Sequence, residues 1–305
     1  MLALSTCWKS TETNDAEALL EFFEHLDISA LELEYRISEP TYRQLRKPLK
    51  KSRLRVVSAH NFFPKPSIKP ESKASGDFFM LTSLDKEERN HAVQWTAKTI
   101  SHAAELGAKA VVLHCGRVVM DRELDILYRF FKSNEILSNA SQNFIAKKLN
   151  ERDRRKPGHL DSLLFSLDQL SRQADKFGIM LGLENRFHYD ELPTPEDFET
   201  IFRRFKGAPL GYWHDTGHAF VNENLTTIPP GALLDTYGDH LIGVHLHDAV
   251  GIEDHLAPGT GEIDFTPLKS YLKPETIKVL ELRPQVTESE VTRGIRFIRE
   301  TILDS

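Results

Sequence analysis

The chain has 305 residues, 40% hydrophobic and 28% charged, with 39 basic and 45 acidic side chains giving a net charge of −6. That composition is ordinary for a soluble globular protein, and the acidic balance argues weakly against a nucleic-acid binder, which usually shows a basic stripe or a high pI. No apolar run nears the roughly 20 residues of a membrane span. The start, Met-Leu-Ala-Leu-Ser-Thr-Cys-Trp, is too short and lacks the basic residues of a signal peptide. Cys7 and Cys115 are the only cysteines and read as buried free thiols rather than a disulfide framework. A cytoplasmic protein is the default expectation.

Short β-type apolar runs alternate with helical patterns along the chain. The candidate strands are Leu2–Thr6, Ala30–Glu34, Leu54–His60, Ala108–His114, Ile179–Glu184, Leu210–Asp215, Leu241–His247 and Ile277–Leu282. Among the helical stretches, Asn14–His25 opens with a possible Asn cap. Asp85–Leu106 ends at Gly107, a favourable C-terminal position. Thr194–Phe205 has a Thr cap, Pro195 next and acidic residues in its first turn. Thr287–Ile302 closes the chain. Eight strands alternating with helices predict parallel βαβ units and a closed (β/α)8 TIM barrel, one domain over 1–305. An open doubly wound sheet would be expected to show a Gly-rich phosphate loop after an early strand, and none is present.

One stretch breaks the rhythm. From Arg117 to Gly178 the segment is longer than one crossover helix needs. It predicts a helical insertion between strands four and five, about 117–158, with helices near Arg122–Lys132 and Glu135–Arg155. A regular helix, Leu160–Phe177, follows. Within the insertion, Lys147, Lys148, Arg152, Arg154, Arg155 and Lys156 form a basic cluster. A solvated helix face explains such a cluster. The sharper expectation is an insertion folded over the active-site face to meet an anionic substrate. Pro64, Pro66 and Pro70 stiffen the long loop after strand three.

The strand ends carry the chemistry. They bear Glu34, His60, His114, Glu184, then Asp215 with His218, His245 and His247 with Asp248, and Glu281. An ionisable group directly after several apolar residues is costly in a core unless it is paired or metal-bound. One such residue is usually a satisfied core histidine. Seven strands ending this way, on the face where barrels place their active sites, are hard to explain by packing alone. Imidazoles mixed with carboxylates suit Zn²⁺, Mn²⁺ or Fe²⁺ better than Mg²⁺ or Ca²⁺.

These residues resemble the xylose-isomerase-like TIM barrels, the superfamily of endonuclease IV and many sugar isomerases and epimerases. The resemblance implies a metal centre of Glu184, Asp215, His245 and Glu281, with His245 chosen by the pattern His245-Leu246-His247-Asp248. The endonuclease IV branch implies more ligands. His60 and His114 would join Glu184 at one site. His218, His255 and a loop carboxylate, Glu253 with Asp254 beside it, would form a third. His218 has a rival role in substrate binding. Two or three divalent ions per chain, zinc or manganese, follow from that count. Glu184 and Glu281 are the catalytic candidates. Arg186, His247 and Arg283 are the substrate-side candidates; pairing of the two arginines with Glu34 or Asp248, and a role for His247 and Asp248 in orienting the ligands, compete with that reading.

Epimerisation needs one cation to polarise a carbonyl and carboxylates to move protons. It has no evident need for His60 and His114. Several cations can hold a bridging hydroxide and stabilise a phosphoryl transition state. The expectation is therefore a multinuclear hydrolase, a phosphodiesterase with a small, phosphate-containing substrate. A metal-dependent sugar or sugar-phosphate isomerase or epimerase is the alternative, and a barrel kept as a binding protein is disfavoured by the complete ligand set. DNA is an unexpected substrate, since Asn61-Phe62-Phe63-Pro64 departs from the endonuclease IV loop. Glu-Asn-Arg-Phe-His-Tyr (184–189), Gly-Tyr-Trp-His-Asp-Thr-Gly-His-Ala (211–219) and the run from His245 to Phe265 are similar to cobamide-remodelling phosphodiesterases. That similarity implies a corrinoid nucleotide loop as substrate. His214 is expected to point outward, towards the helices.

Overall fold

The computed structural model describes residues 1–68 and 75–303; Pro70 lies outside them. Eight parallel strands close into a barrel in chain order. They are β1 (Leu2–Ser5), β2 (Ala30–Leu33), β3 (Arg55–His60), β4 (Ala110–Leu113), β5 (Met180–Glu184), β6 (Leu210–Asp215), β7 (Leu241–Leu246) and β8 (Ile277–Leu280). Closure runs through the pairs Leu2/Lys278, Ala3/Val279 and Leu4/Leu280. The expected α/β barrel is therefore present, each strand ending close to its predicted position.

Successive side chains of a strand face opposite sides of the sheet. Leu4, Leu31, Leu33, Val111, Leu113, Leu181, Leu183, Val244 and Leu246 join the main apolar core that includes the helices. Inside the barrel, Ala3, Ala30, Ala110, Val112 and Val279 surround Trp213. A Cβ added at Gly182 or Gly243 would come within 2.7 or 2.1 Å of the Trp213 ring. Only small neighbours leave room for the indole, which plugs the barrel interior. Two residues beyond this layer, on the same faces of the same strands, come Glu32, His114, Glu184, Asp215, His245 and Glu281. All six are buried. The apolar plug and the polar ring above it share one period-2 pattern.

The helices are α1 (Ala16–Glu24), α2 (Glu39–Lys51), α3 (Lys86–Glu105), α4 (Leu124–Lys132), α5 (Asn139–Phe177), α6 (Pro195–Arg204), α7 (Thr216–Asn224), α8 (Ala232–Tyr237) and α9 (Glu288–Ile298). Three of the expected ends match. Gly107 after α3 takes a left-handed φ of 78°. Thr194 caps α6 and Asp197 reciprocates, a capping box with Pro195 at the first position. Thr287 caps α9 in the same way. The cap of α1 is Asp15 rather than Asn14, its carboxylate accepting from the Ala18 N–H at 2.8 Å.

The expected break between Arg155 and Leu160 is absent. α5 runs through Pro157 as one helix of 39 residues. Proline there removes one backbone hydrogen bond, but neighbouring side chains tie both flanks. Nδ1 of His159 lies 2.9 Å from the Thr82 carbonyl, Ser166 donates to the Leu81 carbonyl at 3.0 Å, and Lys156 pairs with Asp197 at 3.1 Å. α4 and the first half of α5 lie between β4 and β5. They pack through Leu127, Ile145, Tyr128 and Phe131 onto Phe187, Tyr189, Val221 and Ile252, above the C-terminal ends of the strands. The basic cluster behaves structurally. Lys148 binds Glu123 and the Asp121 carbonyl, Arg152 the Tyr189 carbonyl and Arg155 Glu151. No helix of the described residues is long and apolar enough to cross a membrane.

Candidate metal centre

The ring of side chains above Trp213 holds four overlapping groups of possible ligands. Three are His60, His114 and Glu184; Glu184, Asp215, His245 and Glu281; and His218, Asp254 and His255; the fourth, Asp215, His247, His255 and Glu281, adds His247 to members of the last two. Within each set the possible ligand atoms all lie within 4.8 Å of one another. The sets share side chains at their borders: Glu184 belongs to the first two, and Nε2 of His255 lies 3.7 Å from Glu281.

The histidines are oriented by what holds their second nitrogen. Nδ1 of His60 faces the Asn61 carbonyl at 2.9 Å, leaving Nε2 3.5 Å from Glu184. Nδ1 of His114 faces Asp77 at 3.1 Å, leaving Nε2 2.8 Å from Glu184 Oε2. Nδ1 of His218 faces the Asn185 carbonyl at 3.1 Å, and its Nε2 lies 3.8 Å from Asp254. His245 is turned the other way. Its Nε2 meets Glu32 at 3.1 Å, and Nδ1 sits 3.0 Å from Glu184, 3.0 Å from Glu281 and 3.7 Å from Asp215. Each ring thus has one nitrogen tied to an acceptor and its other nitrogen aimed at carboxylates. Metal-binding imidazoles are held in this way.

His247 differs. The His255 N–H donates to its Nδ1 at 2.8 Å, so Nε2 carries the proton and donates to Asp215 at 2.9 Å. Both nitrogens are committed, and His247 orients the Asp215 carboxylate. His245 keeps Nδ1 directed at Glu184, Glu281 and Asp215. Asp215 also caps α7 through the His218 N–H at 2.7 Å. This explains the spacing in Asp215-Thr216-Gly217-His218: the carboxylate that starts the helix places the histidine one turn on.

Electrostatics agree with a cation site. Burial alone would push the Glu184 carboxyl up, but His114 and His245 hold it well below the usual carboxylate range. Burial works against Glu281 in the same way, and His245 and His255 bring it well below. Burial opposes charge on His245, yet Glu281 and Glu32 raise it well above an ordinary imidazole. For His218 burial prevails over Asp215 and lowers it to about 4. Oε2 of Glu184 is buried 2.8 Å from Nε2 of His114 but outside hydrogen-bond geometry with it. A buried carboxylate oxygen without a donor is unfavourable unless a cation meets it. The residues therefore fit a divalent ion, and the mixed imidazole and carboxylate donors suit zinc or manganese.

The structure corrects some expectations. Asp254, not Glu253, is the carboxylate beside His218 and His255. Glu253 is exposed in the ribbon formed by Asp248–Val250 and Glu253–Leu256, where alternation turns it away. Asp248 does not touch the ligands. Its carboxylate accepts from the backbone N–H of Ala249, Gly259, Gly261 and Ile263, so it folds the Pro-Gly-Thr-Gly loop behind that ribbon. Arg186 lies inside the site, against His114, while Arg283 is exposed at the rim and donates its N–H to the His255 carbonyl at 3.0 Å. His214 is buried outside the ring with Nδ1 2.7 Å from the Tyr212 hydroxyl, as expected. Both cysteines are buried and free.

Sequence reasoning missed Glu32, Asp77 and Asn185. Glu32 was legible, since it shares the inward face with Ala30 and Glu34. Asp77 stands in a loop without periodic signal. Asn185 packs one position past the strand, bridging Asp215 and Tyr212 through its amide.

The chain is 31% identical over 130 residues to an uncharacterised protein of Methanocaldococcus jannaschii, a stretch covering 41% of this chain and 47% of that protein. The matched stretches span about half the length of the curated relatives. Solved structures superpose over nearly the whole chain. A D-tagatose 3-epimerase-like protein is 18% identical at a TM-score of 0.70, covering 99% and 98% of the two chains. The IOLI protein with a bound zinc atom is 16% identical at 0.66, covering 99% and 96%. An L-ribulose 3-epimerase is 14% identical at 0.64, covering 97% and 86%. A family model, the xylose isomerase-like TIM barrel, matches residues 20–301, and the chain belongs to that family.

Proposed function

We propose that the chain is a multinuclear metal-dependent hydrolase that cleaves a phosphodiester in a small-molecule substrate. The observation that carries this reading is the continuity of the three ligand sets. His60, His114, His218 and His255 each direct a ring nitrogen at a carboxylate of the ring, in addition to the four residues a mononuclear centre would use. Bound divalent cations would supply Lewis acidity, acidifying water and neutralising charge on a phosphoryl group. His60, His114 and Glu184 would hold one ion, Glu184, Asp215, His245 and Glu281 a second, and His218, Asp254 and His255 a third. Glu281, whose carboxyl His245 and His255 hold below the usual range, would accept the proton of an attacking water. A corrinoid nucleotide loop is the substrate class that the sequence resemblance favours.

A second reading is a metal-dependent sugar or sugar-phosphate isomerase or epimerase. The names of the similar solved structures favour it over hydrolysis, although identities of 14 to 18% speak for the fold alone. In that reaction Glu184 and Glu281 would exchange a proton with a substrate carbon from either side of one cation.

Metal content decides between them. Protein purified without chelators should carry two or three metal ions per chain, hydrolyse bis-p-nitrophenyl phosphate, and lose that activity in His114→Ala. One metal per chain, with ketose epimerisation surviving His114→Ala, would overturn the hydrolase reading.

A further inference from the structure

A polar cleft of about 470 Å³ opens beside the candidate centre. Its walls are Cys7, Tyr35 and Arg36 on one side and Ile252–His255 and Glu281–Pro284 on the other. Three residues of the ligand sets, Asp254, His255 and Glu281, form part of the wall. Tyr35 links the opposite wall to the centre, its ring meeting that of His60 edge-on at 5.3 Å.

Arg36 is held in place in this cleft. Nη1 pairs with the fully buried Glu34 at 3.0 Å, Nη2 donates to the Tyr35 hydroxyl at 3.2 Å, and the guanidinium stacks over the Tyr35 ring at 4.8 Å. A guanidinium has five N–H donors. These bonds use two of them, and the side chain keeps 27% of its surface open. Neutralising Glu34 explains one face of Arg36; it does not explain the fixed, open face. Arg283 is a second arginine among the lining residues, its backbone N–H held by the His255 carbonyl.

We infer that this cleft is an oxyanion subsite, in which Arg36 and Arg283 bind a phosphate group of the substrate next to the metal centre. The inference rests on the phosphodiester reading for the identity of that group. Arginine suits the task because its planar fork matches two oxygens of a phosphate at once. The acidic groups facing the cleft are Glu253, Asp254 and Glu281. Asp254 and Glu281 would face the ions in a loaded centre, which leaves the Arg36–Glu34 pair, Arg283 and the exposed Glu253 as the other charges of the cleft. Anion binding should therefore depend on metal.

Inorganic phosphate is the probe, titrated calorimetrically into zinc-loaded protein freed of excess metal. Wild type should bind it saturably, and metal-free protein at least about tenfold more weakly. Arg36→Gln and Arg283→Gln should each weaken binding by about tenfold, the scale of one charge-assisted contact, with zinc content unchanged. Arg36→Gln leaves Glu34 buried without its cation, so Glu34→Gln/Arg36→Gln serves as the folded control and should show the same loss. Phosphate affinity unchanged in Arg36→Gln/Arg283→Gln, equal affinity in metal-free protein, or no saturable binding to wild type would overturn the subsite. Hydrolysis of bis-p-nitrophenyl phosphate is measured separately. Arginine-dependent phosphate binding without diester turnover would retain the subsite and remove the hydrolase reading.

Discussion

Nη1 of Arg186 lies 2.8 Å from Nε2 of His114. The same nitrogen is the free ligand atom of the first set, because Nδ1 is engaged by Asp77. A divalent ion bound at about 2.0 to 2.1 Å from that nitrogen would occupy the lone pair the guanidinium now uses. Arginine and ion thus exclude each other at His114. Arg186 has carboxylates waiting nearby, Glu191 at 3.6 Å and Asp77 at 3.8 Å, and its Nε is buried without a hydrogen-bond partner. It can turn without leaving the site. Arg186→Gln should raise the affinity of the His60–His114–Glu184 set for zinc by about tenfold or more, since it removes both a competitor and a positive charge from beside the ion. Competition with a chelator on the second equivalent of zinc measures this. Unchanged affinity would mean that Arg186 does not stand in the way.

Metal binding should release protons. Burial disfavours charge on His255 and His245, but their carboxylate neighbours raise both well above the ordinary imidazole value. Near pH 7 each ring therefore holds a proton that a cation must displace. The sign follows directly. Zinc affinity rises with pH through the neutral range and falls as the medium becomes acidic. Calorimetric titrations at pH 7 in two buffers of different ionisation enthalpy should give different apparent heats, with protons moving from protein to buffer. Identical heats in both buffers would contradict this.

Asp254 and Glu253 should behave differently despite their adjacency. Asp254 meets His255 at 3.0 Å and His218 at 3.8 Å, and His255 and His218 hold its carboxyl below the usual range against burial. Glu253 faces solvent. Asp254→Asn should lose one metal ion per chain by mass spectrometry of the native protein. Glu253→Gln should keep the full complement and unfold within a few tenths of a kcal/mol of the parent, as exposed substitutions do.

The barrel was legible in the sequence because each strand is short, apolar and bounded by helical pattern, and because closure needs no residue-specific signal. The ligand ring was legible for a related reason. Ala30 and Glu32, Val112 and His114, and Gly243 and His245 keep the inward face of their strands, so a charge two residues past a small or apolar one marks the top of the interior. Alternation alone could not separate Glu253 from Asp254, since the ribbon that orients them follows a tight turn at Gly251. Nor could it reveal Asp77, which reaches His114 from a loop. α5 was misread because Pro157 and Gly158 carry a strong local stop signal, and the contacts of His159, Ser166 and Lys156 that override it come from residues distant in the chain.

Gly217 is needed for the shape of the second ligand set. A Cβ there would come within 2.1 Å of Cε1 and 2.5 Å of Nδ1 of His247. The imidazole cannot yield easily, since Nε2 donates to Asp215 and Nδ1 accepts from the His255 N–H. Gly217→Ala should displace the ring, loosen Asp215 and reduce zinc affinity by about tenfold or more, the scale seen when a ligand loses its orienting partner. Far-UV circular dichroism should remain native, because alanine is favourable in a helix. Full zinc affinity in this variant would show that His247 does not position Asp215.

Glu32 offers the sharpest test of how the barrel interior tunes the centre. It is fully buried, accepts from Ser58 at 2.8 Å and faces Nε2 of His245 at 3.1 Å. A carboxylate behind a ligating imidazole fixes the tautomer and makes the other nitrogen a better donor to a metal. Glu32→Gln keeps the volume and one acceptor oxygen but removes the charge. The amide oxygen can still accept from His245 while its N–H₂ donates to the Ser58 hydroxyl, so the contacts survive and the charge is lost. Zinc affinity at the Glu184–Asp215–His245–Glu281 set should fall by about 10- to 100-fold. The proton released from His245 on metal binding should diminish as well, because Glu32 is one of the two charges that raise that ring. Loss of affinity without a change in proton release would assign Glu32 a packing role only, whereas both changes together would identify it as the residue that sets the charge of His245.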